Sequence, residues 1–427
     1  MRAGWIGVVA ALLVVWAGSA AARLQTLYSF CALDRCKDGA QPGVLLRDTS
    51  GNLFGTAARG PHRGNGLVFE LVGGKRYKIL HTFCERRDCS DGAVPTGNLI
   101  IDTAGNLYGA TLVGGAHSGG TVFELSPPQT GKAWTISTLY GFCSQGACAD
   151  GAKPSSGLTY AGASSGAPYD GASPLFGTTT AGGTGAGQGG TAYSLVRGGS
   201  GWTQSVLYSF CSQGGSGCTD GNNPSGGLYI DASGNLFGTT VSGGNNFNGG
   251  TIFELTANGG NWTQTVLYAF CQNAQCQDGR APMGPLIEPY DNIFYGITRT
   301  GGLRTGGNIF ELNLNGPITE SPVYQFCSDK DCRDGAVPSS LFMDASGALQ
   351  GTTLYGGGED TDPNGKGGGT VFRYGGGFSV MHRFCAQPSC SDGAYPTSLT
   401  QSGANEFFGS TLAGGAFGGG EVFHLSR

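Results

Sequence analysis

Fourteen cysteines are the residues of this chain with the clearest chemical potential, and they fall into seven close pairs. The pairs are Cys31 and Cys36, Cys84 and Cys89, Cys143 and Cys148, Cys211 and Cys218, Cys271 and Cys276, Cys327 and Cys332, and Cys385 and Cys390. Two chemistries suit thiols this close together: a disulfide, or half of a zinc site. Zinc usually needs four ligands, commonly with C-x2-4-C spacing. The chain has five histidines, and none recurs with the cysteines. Disulfides are therefore the default reading, with zinc and reduced thiols as the alternatives. By loop-closure entropy each six-residue loop contributes roughly 2 kcal/mol.

A second candidate chemistry is calcium binding. Asp360, Asp362 and Asn364 stand at alternate positions before Gly365, as in the first half of an EF-hand loop. Oxygen ligands so spaced converge when a glycine bends the backbone. The ligand expected at position twelve would be Val371, so the bidentate Glu of a full loop is missing. A solvated polar loop is the competing reading. No G-x-S-x-G elbow, H-E-x-x-H pair or phosphate loop occurs.

The compartment follows from the leading residues. Arg2, an apolar run from Ile6 to Trp16 and the small residues Ala20-Ala21-Ala22 read as a signal peptide over residues 1–22. The run is too short to span a bilayer, and no second stretch approaches that length. The expected mature chain, 23–427, is exported to an oxidising compartment. No anchor segment follows Leu425, which favours a periplasmic or released protein. Glycine accounts for 81 of 427 residues, charged residues for 12%, and the net charge is −5. That balance excludes a nucleic-acid footprint or a basic membrane patch. Aromatics at 10%, regularly spaced, argue against disorder.

The elements that must position these residues are written seven times over. A Phe precedes each pair, and one residue, Asp-Gly, two residues and a Pro follow it. Three short runs come next, such as Asn98–Asp102, Gly105–Gly109 and Val122–Leu125. A fourth, such as Val206–Phe210, delivers the chain to the next pair. All are β-branched or aromatic and bounded by Gly, Asn, Asp or Pro, so they read as strands. Phe-to-Phe intervals run from 53 residues (Phe30 to Phe83) to 68 (Phe142 to Phe210). Four strands at that period predict a propeller blade, near the kelch length. The chain starts with a fourth-strand run, Thr26–Phe30, and its last run, Val422–Leu425, is a third strand. The expected fold is thus all-β, a seven-bladed β-propeller with 3+1 closure by the N-terminal strand and one disulfide per blade.

The combined string L-Y-x-F, D-G-x-x-P, G-N-L-[FY]-G-T-T and G-G-T-[VI]-F-E-L resembles the GloVer tandem-repeat proteins. The resemblance covers nearly the whole mature chain and implies an exported bacterial repeat protein. Blade 3 departs from it at Ala192–Leu195 and in a longer first hairpin, and blade 5 at Pro289–Asp291.

Residues repeated in every blade are best explained by what every blade needs. The Asp-Gly pairs are expected to cap turns, and the Phe-Glu-Leu carboxylates to protect strands. Trp134, Trp202 and Trp262 are expected to pack at blade edges. Function should lie in what is not repeated. In a four-stranded meander the Cys-bearing loops and the Gly-Gly loops share one face, where His62, Arg63, His117, Phe247, Arg304, Tyr355 and Phe417 are individual. Scattered aromatics and hydrogen-bonding groups on a rigid frame suit glycan or peptide contact. On the first strands, nearest the axis, the unusual polar residues are Arg47, Tyr160, Glu288 and Gln401, a candidate channel site. The favoured role is non-catalytic recognition of an extracellular polysaccharide or protein. The rival is a carbohydrate-active lyase or hydrolase working in the channel, and a purely structural envelope role is the third reading.

Overall fold

In the computed structural model, residues 22–61, 64–85, 88–129, 133–244, 247–358 and 367–427 are described. His62, Arg63 and the loop carrying Asp360, Asp362 and Asn364 lie outside them, as does the signal-peptide segment apart from Ala22. The short runs do form strands, grouped into seven antiparallel sheets. Blade 1 comprises Ala40–Arg47, Leu53–Arg59, Leu67–Val72 and Arg76–Thr82, in that spatial order. Blade 6 comprises Ala336–Met343, Leu349–Tyr355, Thr370–Tyr374 and Phe378–Arg383. Blade 4 differs in that its first strand is broken into Asn222–Pro224 and Tyr229–Ile230, both paired with Leu236–Ser242. In blade 3 the extended first hairpin, 160–174, replaces most of the first strand.

First strands touch between blades 4 and 5, 5 and 6, 6 and 7, 7 and 1, and 1 and 2. The seventh sheet closes the ring. Ala394–Gly403, Glu406–Ala413 and Glu421–Ser426 are its first three strands, and Arg23–Ser29 pairs antiparallel with Glu421–Ser426 as its fourth. Hydrophobic clusters fill the spaces between sheets. Trp134, Trp202 and Trp262 pack against three of these clusters, as expected of blade-edge side chains.

All seven cysteine pairs are disulfides. Every one of the fourteen cysteines has a positive φ, between 44° and 65°. The residue before each Pro of D-G-x-x-P is also left-handed, including the β-branched Val94 and Val337. Non-glycine residues reach this region at a cost of about 1–2 kcal/mol each, so other interactions must hold the loops. The Asp-Gly carboxylate is one of them. Asp150 accepts the N–H groups of Ser144 and Gln145, at 2.9 and 3.2 Å, and the Tyr140 hydroxyl at 2.7 Å. Asp38, Asp220, Asp278 and Asp334 are likewise bonded to loop N–H groups and to Tyr28, Tyr208, Tyr268 and Tyr324. In the two remaining junctions the tyrosine is replaced by His81, 2.9 Å from Asp91, and by His382, 3.8 Å from Asp392. These aspartates do cap, as expected, but they also clasp the fourth strand of one blade to the first strand of the next.

The left-handed residue before each Pro gives its N–H to a carbonyl of the preceding blade, a Gly in six junctions (Gln41 to Gly419 at 2.9 Å, Tyr395 to Gly368 at 2.7 Å) and Asn65 for Val94 at 2.7 Å. The following Pro then lies against another glycine. A Cβ on Gly66 would come within 2.3 Å of Pro95 Cδ, and one on Gly420 within 2.9 Å of Pro42 Cδ. The two loop families share a face, because Gly115, Gly183, Gly244, Gly302, Gly357 and Gly415 each donate an N–H to the second-cysteine carbonyl of a disulfide loop. On the opposite face Asp48, Asp102, Asp231 and Asp344 cap the tight first hairpins.

Candidate functional site

One register position separates blade 6 from the rest. Opposite each other on the second and third strands, the other blades pair Phe54 with Glu70, Tyr108 with Glu124, Phe176 with Ser194, Phe237 with Glu254, Tyr295 with Glu311 and Phe408 with His424. Blade 6 pairs Gln350 with Arg373. An aromatic ring at this position packs toward the neighbouring blade, as Phe237 does against Phe294 at 4.7 Å. Gln350 and Arg373 instead line a cleft between blades 6 and 7 on the hairpin-turn face.

That cleft has a volume of about 570 Å³. Asp344, Gln350 and Arg373 of blade 6 face Gln401, Asn405 and Arg427 of blade 7 across it, over an apolar floor that includes Phe407. Gln350 is only 1% exposed. Its Nε2 donates to Asp344 Oδ2 at 2.6 Å, while its Oε1 has no partner among the described residues. Arg373 donates to Ser346 Oγ at 3.1 Å and stands 3.7 Å from Asp344. Burial opposes ionisation of Asp344, but bonds from Ser346 Oγ, Ala348 N–H and Gln350 Nε2 outweigh it and hold the carboxyl below its usual range. The result is a fixed charge orienting one amide and one guanidinium, with an unsatisfied acceptor at the base. An acceptor buried without a partner is costly.

A second cleft of about 530 Å³ lies on the other side of blade 7, against blade 1. Arg47 and Lys75 line it, with Phe408, His424 and the Gly73-Gly74 turn. The Arg47 guanidinium carbon is 5.8 Å from the Phe408 ring centre. Phe408 is stacked on His424 at 4.8 Å, and His424 is bonded to the Glu406 carboxylate.

The four polar residues expected near the axis are thereby distributed. Gln401 lines the first cleft and Arg47 the second. Tyr160 is 7% exposed within the cluster between blades 2 and 3, its hydroxyl donating to the Ala167 carbonyl. Glu288 accepts the Asn292 N–H at 2.8 Å and sits beside the Tyr229 hydroxyl, whose pKa burial, aided by the bond to Glu288, pushes up to about 12. On the disulfide face His117, Phe247, Arg304 and Phe417 ride on loops of four blades, and Tyr355 ends the second strand of a fifth. Phe417 is 57% exposed, Arg304 donates to the Ser328 carbonyl at 3.0 Å, and Tyr355 meets Tyr395 edge to face at 5.5 Å.

Sequence reasoning passed over Gln350, Arg373, Asn405 and Arg427. The signal was present: aligned on the following Gly, Gln350 alone replaces an aromatic residue. Among the described residues no group of three His, Cys, Asp or Glu side chains is placed to hold a metal ion, and no helix is long and apolar enough to cross a membrane.

The profile of the Gloeobacter/Verrucomicrobia repeat matches residues 14–173 and again 161–363. The chain belongs to that repeat family. No curated protein matches this Gloeobacter/Verrucomicrobia repeat protein. Among solved structures it is similar to an extracellular domain assigned to a hybrid two-component system of B. thetaiotaomicron, at 11% identity and a TM-score of 0.53. That match covers 91% of this chain and 40% of the other. A second is an extracellular domain assigned to a one-component system of the same organism, at 11% identity, a TM-score of 0.50 and coverage of 95% and 40%. The repeat protein thus spans 40% of the length of either sensor chain, and at this identity the likeness is one of fold.

Proposed function

We propose that this repeat protein is an exported binding propeller that recognises an extracellular polysaccharide on its hairpin-turn face. The observation that carries the reading is the buried Gln350 Oε1, without a partner among the described residues, beside a cleft at a position where six other blades place an aromatic ring. A sugar hydroxyl supplies the missing donor, Arg373, Gln401 and Asn405 offer further hydrogen bonds, and Phe407 provides apolar floor. Rigid-frame clefts with a few convergent polar groups are typical ligand sites. Seven disulfides support an exported location. The extracellular setting of the two similar sensor domains is in keeping with it.

A glycan array, read alongside reducing-sugar release, tests the proposal. The native chain should bind glycans without releasing product. The variant Gln350→Phe with Arg373→Glu, which restores the repeat, should keep its fold and lose the signal. Equal binding by both proteins would overturn the cleft as the site, and turnover would replace recognition by catalysis.

A further inference from the structure

The two clefts flank a single sheet, and their charge is unlike that of the rest of the chain. The protein as a whole carries 29 acidic and 24 basic residues. The clefts are lined by Arg373 and Arg427 on one side of blade 7 and by Arg47 and Lys75 on the other, against one lining carboxylate, Asp344, and the Glu406 carboxylate bonded to His424 beside the second cleft. Asp344 is already committed to Gln350, Ser346 and the Ala348 N–H, and it stands beside Arg373 alone. Arg427 and Lys75 are exposed. Arg47 is held over Phe408, a placement that fixes a guanidinium without neutralising it.

Blade 7 presents opposite sides of one strand to the two clefts. Phe407 lines the first and Phe408 the second, because neighbouring residues of a strand point to opposite faces. Neighbouring sheets are about 10 Å apart, so the cation pairs are separated by roughly the thickness of one blade. The short hairpin between them, where Gly403 pairs with Glu406, is the ridge a ligand must cross. A compact anion would occupy one cleft only, whereas an extended chain with charges at regular intervals reaches both.

We infer that the ligand is an acidic polysaccharide, laid across the blade 7 hairpin with an anionic group in each cleft. The inference rests on the polysaccharide reading above and adds its charge. Guanidinium groups favour carboxylate and sulfate through paired N–H donors. Gln350 and Gln401 are left to read the ring hydroxyls.

The test is calorimetric titration with oligogalacturonate, oligomannuronate and hyaluronan oligosaccharides, each compared with its methyl ester, and with dextran sulfate. At least one free acid should bind roughly tenfold or more tightly than its ester, and raised salt should weaken it, as expected for charge-assisted contacts. Arg47→Ala with Lys75→Ala should weaken that acid about as much as Arg373→Ala with Arg427→Ala, since both clefts hold the same chain. Tight binding of dextran sulfate but no uronate would assign sulfate as the anion. Esters or neutral glycans bound as well as the acids would overturn the inference and leave the polysaccharide reading standing. Loss confined to one cleft would overturn the bridging geometry, and no binding to any glycan would overturn both readings.

Discussion

Gln350 and Arg373 are cross-strand partners at a register position where the other six blades all hold an aromatic ring on the second strand. The exchanged pair lines the cleft between blades 6 and 7, and its consequences are separable by mutation.

Gln350→Phe should raise stability while abolishing ligand binding. It removes an acceptor without a partner among the described residues and restores a ring, against loss of the amide bond to Asp344, for a net gain of about 1 kcal/mol. Urea midpoints and the glycan assay check the two effects independently. A variant both less stable and fully able to bind would show that the amide is there for packing alone.

Glu421 occupies the position held in four other blades by Thr121, Thr191, Thr251 and Thr370, and it is fully buried. Burial, against a bond from Thr26 and with the charge of Asp392 adding to it, pushes its pKa up to about 7 from 4.5. The folded state therefore binds this proton more tightly than the unfolded chain. Stability is fully present below about pH 4.5 and declines as pH rises through 7. Glu421→Thr should gain on the order of 3 kcal/mol at pH 8 and little at pH 4.5. The gain matters most at the closing seam, where Thr26 belongs to the N-terminal strand. Identical gains at both pH values in urea melts would contradict the assignment.

His382 has the opposite sign. Burial lowers its pKa below 6.5, with the charge of Asp392 opposing and that of Arg383 assisting. The neutral ring's contribution is intact above the unfolded value and is lost as pH falls through the folded one. His382→Tyr restores the tyrosine–aspartate clasp seen at Tyr28 and Asp38. The variant's stability should fall less than that of the native chain between pH 6.5 and 4, which thermal melts across that range would reveal. Parallel curves would refute it.

Each disulfide loop combines two left-handed cysteines with an aspartate clasp, so removing the covalent link should release a strained turn. Cys84→Ser with Cys89→Ser should cost roughly 2 kcal/mol. Reduction of all seven disulfides should lower the melting temperature far more than any one double substitution. A reduced protein that melts with the oxidised one would mean that the clasps and Gly–Pro contacts suffice.

The repeating residues were legible because their task is local. Cys84, Asp91 and Pro95 lie within twelve residues (84 to 95) and shape one junction, so the sequence itself carries the junction seven times. The same logic gave the closure, since the N-terminal run Thr26–Phe30 could only complete a sheet that lacks a fourth strand. Arg47 and Gln401 were also picked out as polar interruptions of apolar strands. Their grouping was not readable, because strand position alone says nothing about which neighbour a side chain leans toward.

What the sequence determined by itself is the number of blades, the ring closure and the pairing of cysteines, each encoded by contacts a few residues long or by a strand missing its complement. What only the tertiary structure decided is that Gln350 and Arg373 of one blade face Gln401, Asn405 and Arg427 of the next, with Arg47 and Lys75 behind them. Those groups come from both ends of the chain, and only the closed ring brings them to the two sides of one sheet. The physical reason is that a cleft is a property of the gap between blades, fixed by the register and packing of separate sheets, whereas a blade is written in its own residues.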